Sequence, residues 1–519
     1  MVASRGASKQ TQLGGRGRRI DNGKSWWVLP SVEWVSALLR LLWPAAATGS
    51  DDSRRWYQQG FEFQQLQAFP LGLVQGHGGP CGVLAAVQAE LLRRFLFVRH
   101  RETLGGDSDL QQLMTHDRLA EDEAARRQLL AEAMASLLMQ CAGGDRALVR
   151  VVVAQDTEKQ PHSYRESTVQ VAASQALEDA PPQELVALLQ HEMPAFCSPL
   201  GVINFTFSVL RTKGVEAVRE EMDDPENNLT GALGHCTQEL LNLLLTGKAV
   251  SNVFDGSVPM GDSGLLLHGV PQRARIGYLT QLEAVCYCQV GSYYKSPQFP
   301  VWVLGSSSHF SVGFALDARV CEESASTQLF QRVQRVFKTL EISDGAGIVL
   351  WDEYWKVISV LVHTNDFELA LSGEYDANAR TEARTPLQRS DSDLARELQA
   401  QFDAEERGGS VTPSSPASAI SQRSHPPPSQ PTQTPVMSFD WFYYNGLGSN
   451  DAQSNGRRPQ LAKCRVTLEK SMEFIGKSVP IENSGRSGGH GSPPLEEIMK
   501  TKWPSARIDW LGSPVPSIN

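Results

Sequence analysis

The residues most able to do chemistry lie between positions 73 and 92, in LVQGHGGPCGVLAAVQAELL. An apolar lead-in meets Gln75, then a Gly-rich turn with Pro80, then Cys81, then a run of good helix formers. That spacing predicts Cys81 in the first turn of a helix, after a turn that glycines accommodate easily. A thiol there feels the positive end of the helix dipole, which favours the nucleophilic thiolate. The first-turn N–H groups have no partner within the helix and can face an oxyanion. Gln75, six residues upstream, offers a side-chain amide to the same oxyanion. A free Cys on an apolar helix is more often packing than a nucleophile. Here the preceding Gly-Gly-Pro and the Gln point to function.

A thiolate nucleophile needs a base and proton donor, usually His. Of eleven His, His309 in GSSSHFSVGFAL stands between a Ser-rich turn and a strand whose alternate residues Phe310, Val312 and Phe314 are large and apolar. An ionisable group at the mouth of such a strand is held rigidly and can face a cleft. His77 is too close in sequence to act comfortably on Cys81 and reads as a turn residue. His235 and Cys236, in GHCTQELLNLLL, precede another helix; Cys236 is a rival nucleophile by the same reasoning, although capping and packing are the plainer roles. Asp440 or Asn445, in FDWFYYNGL, could orient His309, and no spacing rule chooses between them.

These groups must be carried by regular elements. Residues 34–47 (WVSALLRLLWPAAA) read as an amphipathic or buried helix, and residues 116–141, rich in Ala, Leu and Glu, as another. Residues 237–245 make a further helix, with Thr237 placed to cap it. ALVRVVVAQ from Ala147 reads as a strand, as do residues 300–305 and 310–316. Helices come early and strands late, which predicts an α+β domain. Residues 409–435 hold seven Ser and seven Pro and no aromatic residue, so they cannot bury enough surface to fold. Order is expected to resume at 439–447 and again at 500–510 (KTKWPSARIDW), making the polar stretch an insertion within the domain.

Bulk properties exclude several classes. A net charge of −10 argues against a general nucleic-acid binder. Eight scattered cysteines include only one close pair, Cys286 and Cys288, which is poor metal spacing; no metal or cofactor is expected. No apolar run approaches the roughly 20 residues that span a bilayer. With no signal-peptide pattern at the start, the reading is a cytoplasmic or nuclear protein with reduced thiols and no membrane partner. The first 24 residues carry six basic groups and one acidic one, so residues 1–50 are read as a basic, partly disordered arm with a short helix.

Gln, then Cys at a helix start, then a distant His on a strand is a papain-like order. Beyond it, QGHGGPCGVLAAVQA, GHCTQELLNLLLTGKAVSNVFDG, CQVGSYYKSPQFPVWVL, SSHFSVGF and TKWPSARIDW together resemble the MINDY deubiquitinases, most of all their third and fourth branches. The resemblance covers roughly residues 56–375 and 437–519. It implies a papain-like cysteine protease fold with a mixed sheet and a helical subdomain, interrupted by the disordered insertion at 376–436. It further implies hydrolysis of polyubiquitin linked through ubiquitin lysine 48, with polyubiquitin chains and ubiquitinated proteins as partners. By matching motif, Cys81 takes the nucleophile's place, His309 the base's and Gln75 the oxyanion donor's.

Two accessory segments complete the reading. In residues 390–406 (SDSDLARELQAQFDAEE), Leu394, Leu398 and Phe402 form one stripe on a short helix. Its core, with Ala395, resembles an inverted ubiquitin-interacting helix of MINDY relatives, which would bind a shallow apolar patch; a solvated helix without a partner is the alternative. In residues 327–363, Asp344, Gly347 and Glu353 fall at EF-hand positions, but Ile342 and Ala346 replace two oxygen ligands. A degenerate EF-hand-like helix pair that binds no calcium is expected. Two rival functions stay open: a ubiquitin-binding pseudoenzyme on the same fold, and transglutaminase-like acyl transfer by the same thiolate.

Overall fold

The computed structural model describes residues 20–21, 26–28, 32–322 apart from short gaps, 357–358, 360–361, 369, 437–448, 459–468 and 492–518; the gaps are 48–49, 66, 77, 106–107, 143–145, 155–163, 173–179 and 261–264. By contacts the chain forms two compact units. One comprises Met1–Met260, Gly264–Ser324 and Val436–Asn519; the other comprises Gly261–Ser263 and Ala325–Pro435. In the second unit, the described residues show Leu361 buried with Val357, Ile358 and Val360 around it. Residues 390–406 and 409–435, and residues 327–363 apart from 357–358 and 360–361, lie outside the described residues, as does His77.

The first unit is α+β. Its larger sheet has six strands in the spatial order Ala506–Asp509, Leu461–Leu468, Met437–Tyr444, Phe310–Ala315, Val301–Gly305 and Gly277–Thr280. Every neighbour is antiparallel except Gly277–Thr280, which runs parallel to Val301–Gly305, so the sheet is mixed. Side chains alternate across the pleat. Val301, Val303, Val312, Phe314 and Phe442 join the core shared with the helix Cys81–Arg93. Trp302, Leu304, Trp441 and Tyr443 face a second core with Leu495, Ile498, Met499 and Trp503 of the C-terminal segment. Burial on both faces is why VWVL and WFYY read as unbroken apolar runs.

A smaller antiparallel sheet belongs to the helical half. Its order is Ile20–Asp21, Trp26–Val28, Tyr164–Ala172, Arg146–Ala154, so the basic arm supplies two short strands. The helix Gly201–Lys213 covers its outer edge: Asn204 Oδ1, Ser208 Oγ and Thr212 Oγ1, one turn apart, accept the N–H groups of Ala154, Val152 and Arg150. A free strand edge is thereby closed.

Local differences from expectation have physical causes. The stretch 116–141 is broken: Leu110–His116 ends, Arg118 takes φ 53°, and Asp122 caps a new helix Glu123–Cys141 by accepting Ala125 N–H. Thr237 does precede the helix Gln238–Thr246, but its hydroxyl makes no cap bond and is buried without a partner. Among the described residues no helix is long and apolar enough to cross a membrane.

Candidate active site

Cys81 is the first residue of a 13-residue helix, Cys81–Arg93, and every position of that helix is buried. Its polar groups inside the core are matched. Burial alone would raise Glu90, but the Arg93 guanidinium, 2.6 Å away, and Arg275 hold its carboxyl down at about 2. Gln88 works outward from the same helix: its Oε1 accepts Leu73 N–H at 2.6 Å and its Nε2 donates to Leu71 O at 3.2 Å. Tyr444 OH donates to Leu73 O at 2.8 Å, so the segment leading to Gln75 is clamped from two sides. Gln75 itself donates its N–H to Gly446 O and accepts Gly448 N–H, which ties it to the turn after the strand Met437–Tyr444.

The turn before the helix depends on Gly79, at φ 121°, a conformation side chains rarely adopt. A Cβ there would also lie 2.9 Å from Trp56 Nε1, which donates to Gly234 O. The loop carrying Cys236 is thus brought against the turn that precedes Cys81. Both thiols lie 3.8 Å from the single carbonyl of Gly79. Gly82 stands between them; a Cβ there would meet Cys236 Sγ at 2.9 Å.

His309 opens the strand Phe310–Ala315. Its main chain is locked by Ser306, whose Oγ accepts His309 N–H at 3.0 Å and whose N–H donates to His309 O at 2.9 Å. The ring Nε2 lies 2.6 Å from the carbonyl oxygen of Asn445. A carbonyl only accepts, so Nε2 carries the hydrogen and Nδ1 is left as the basic nitrogen. A main-chain carbonyl therefore holds this nitrogen of the ring. Asn445 Oδ1 is spent on Leu447 and Gln460 N–H groups, and Asp440 pairs with Lys463 and Arg465 on the neighbouring strand. Residue spacing gave no sign of this, because any residue at 445 has a carbonyl.

Gln75, Cys81 and His309 line one cleft, together with Gln88, Tyr444 and Asn445. Its free volume is about 20 Å³, room for roughly one water. Cys236 and His235 are not among its walls. The expected thiolate is corrected by this enclosure. Burial pushes the Cys81 thiol up to about 11, against the N–H groups of Phe310, Gly82 and Cys81, which pull it down. Desolvation of the anion outweighs these N–H groups. Cys236 is pushed further, by burial first and by Cys81 second. Among the described residues, no group of three His, Cys, Asp or Glu side chains is set to hold a metal.

A raised thiol pKa has a direct consequence. At pH 7 to 9 Cys81 is protonated in this state, and its thiolate fraction grows about ten-fold per pH unit. Alkylation by iodoacetamide, followed by mass spectrometry of the tryptic peptide 56–93, is expected to accelerate about 100-fold from pH 7 to pH 9 without levelling. A plateau below pH 8 would show that the resting thiol is already activated.

The model of the family described as "Deubiquitinating enzyme MINDY-3/4, conserved domain" matches residues 45–334. "Ubiquitin carboxyl-terminal hydrolase MINDY-3" of Homo sapiens is 30% identical over 517 residues, covering 94% of this chain and 100% of the relative. "Probable ubiquitin carboxyl-terminal hydrolase MINDY-4" of Mus musculus is 37% identical over 283 residues, and the human protein of that name 36% over 286. This chain spans about a third of the length of those MINDY-4 relatives, 36% of each, against 54% of its own length. No solved structure matches it. With the family model matching over half of the chain, and a MINDY-3 relative aligned along nearly all of it, the chain belongs to the MINDY-3/4 family of deubiquitinating enzymes.

Proposed function

We propose that this protein is a cysteine isopeptidase that hydrolyses polyubiquitin linked through lysine 48. The observation that carries the reading is the shared cleft: a thiol at a helix start and an imidazole whose Nε2 is pinned to Asn445 O, with Gln75 beside them. A papain-like arrangement of the fold is part of the proposal, supported by Cys81 at the start of a helix and His309 just before a strand packed against it. Substrate entry must part the walls, because a cleft of this volume holds no peptide. Opening hydrates the thiol, lowers the desolvation that holds it protonated, and lets His309 Nδ1 take the proton.

The thiolate then attacks the carbonyl carbon of the isopeptide bond at the ubiquitin C-terminus. Charge developing on the oxygen is met by first-turn N–H groups and by the Gln75 amide. His309 returns the proton to the leaving lysine amine, and water hydrolyses the thioester by the same base. Residues 390–406, with Leu394, Ala395 and Leu398, are proposed as a tethered second ubiquitin contact. No metal or cofactor takes part.

The test is a ubiquitin carrying a C-terminal electrophile, followed by a panel of linkage-defined tetraubiquitin. Covalent capture at Cys81 and cleavage of the lysine 48 chains ahead of all others are expected. Binding without capture or cleavage would make the protein a pseudoenzyme. Gln75→Ala is expected to lower turnover on the order of 100- to 1000-fold, with probe binding retained, as for loss of one oxyanion donor. Unchanged turnover would remove Gln75 from the mechanism.

A further inference from the structure

The helix that begins with Cys81 does not end at the cleft. Past Arg93 it continues as a wider turn, Arg94–Arg99, and its far end reaches a second, much larger cavity of about 990 Å³. By helix rise this cavity lies roughly 20 Å from Cys81. Its walls also take in the outer ends of the strand pair that carries His309, at Phe299 and Leu316. The volume is at the upper end for small-molecule sites, which are mostly apolar with a few placed polar groups.

Two features define what it would hold. The first is charge. Among the described residues, Arg101, Arg273, Arg275 and Arg319 line the cavity with one carboxylate, Asp317. Arg319 pairs with Asp317, and Arg275 lies close enough to Glu90 to lower it. Among the described residues Arg273 donates only to backbone carbonyls, those of Ser296, Pro297 and Cys321, which leave its charge in place. Arg101 stands exposed at the rim, with no ion pair or hydrogen bond among the described residues. In a chain of net charge −10 this concave cationic surface concentrates anions. The second feature is a partly exposed apolar floor. Phe299 is only half-buried, packed 5.6 Å from Phe97 and with the Arg93 guanidinium 5.0 Å from its ring centre. Val98, 38% exposed, and half-buried Leu104 lie beside it.

We propose that this cavity is a binding site for a nucleoside polyphosphate, with the base on the Phe299 floor and the phosphates between Arg101 and Arg273. A flat aromatic group uses the apolar surface, and a polyphosphate answers the Arg101 and Arg273 guanidinium forks, which pair with no carboxylate among the described residues. A bare anion would leave the floor wet. An apolar ligand would leave the arginines unanswered.

Isothermal titration of the full chain with ATP, adenosine and inorganic pyrophosphate, each to 1 mM, tests this. ATP is expected to bind at least ten-fold more tightly than either half, and more weakly as salt rises. Arg101→Glu, at an exposed position, is expected to lower ATP affinity at least five-fold with an unchanged melting temperature. Arg319→Gln gives a second variant, at a lining arginine already paired with Asp317, and is expected to change affinity less. No heat with ATP would overturn the proposal, as would equal affinity for pyrophosphate or adenosine. So would ATP binding untouched by Arg101→Glu, or a tetraglutamate peptide that binds as tightly as ATP. None of these readouts uses ubiquitin cleavage, so they stand or fall apart from the isopeptidase assignment.

Discussion

Cys81→Ala is expected to bring polyubiquitin cleavage below detection, a fall of at least about 10⁴-fold, while ubiquitin binding persists. The neighbouring thiol is not expected to take over. Cys236 shares the Gly79 carbonyl with Cys81, yet it is absent from the cleft walls and burial holds its thiol higher still. Cys236→Ala should therefore keep turnover within a few-fold and cost about 1 kcal/mol of stability for the lost buried sulfur. Measuring both variants with lysine 48 tetraubiquitin, and the second by thermal melting, decides the matter. An active Cys81→Ala beside an inactive Cys236→Ala would move the nucleophile to the neighbouring loop.

His309→Ala should lower turnover on the order of 10³- to 10⁴-fold, since in the proposed mechanism one ring takes the thiol proton and returns it to the leaving amine. The orienting group gives this prediction a finer edge. Because a main-chain carbonyl holds Nε2, Asn445→Ala retains that acceptor and loses only the side-chain ties to Leu447 and Gln460. Its turnover should drop about ten-fold or less, by loosening the turn. Asp440→Asn should leave kcat unchanged, because that carboxylate is engaged by Lys463 and Arg465. Steady-state cleavage of a ubiquitin C-terminal fluorogenic amide gives all three. A loss for Asp440→Asn as deep as for His309→Ala would mean that a carboxylate reaches the ring after opening.

Sequence carried the elements that hold the site with little loss. Helix formers after a Gly-Pro turn put Cys81 at the start of Cys81–Arg93, and the apolar runs at 300–305, 310–316 and 439–447 became adjacent strands. These are local signals, set by backbone preference and side-chain period within a few residues. The break near Arg118 was missed because its cause is a single left-handed residue in a stretch of good helix formers. The strands in the basic arm were missed because they are two and three residues long and owe their pairing to the strand Tyr164–Ala172.

By itself, then, the sequence determined the residue types and the order of the site: amide, thiol and imidazole, each at the start or edge of an element. Tertiary structure alone decided which groups meet them. It set the main-chain oxygen of Asn445 against His309 Nε2, and placed Cys236 beside Cys81 on one carbonyl. It also decided the state of the thiol, since burial is a sum over neighbours from distant segments and here exceeds the pull of the nearby N–H groups. Local chemistry can nominate a nucleophile; only the packing around it fixes whether its proton stays on.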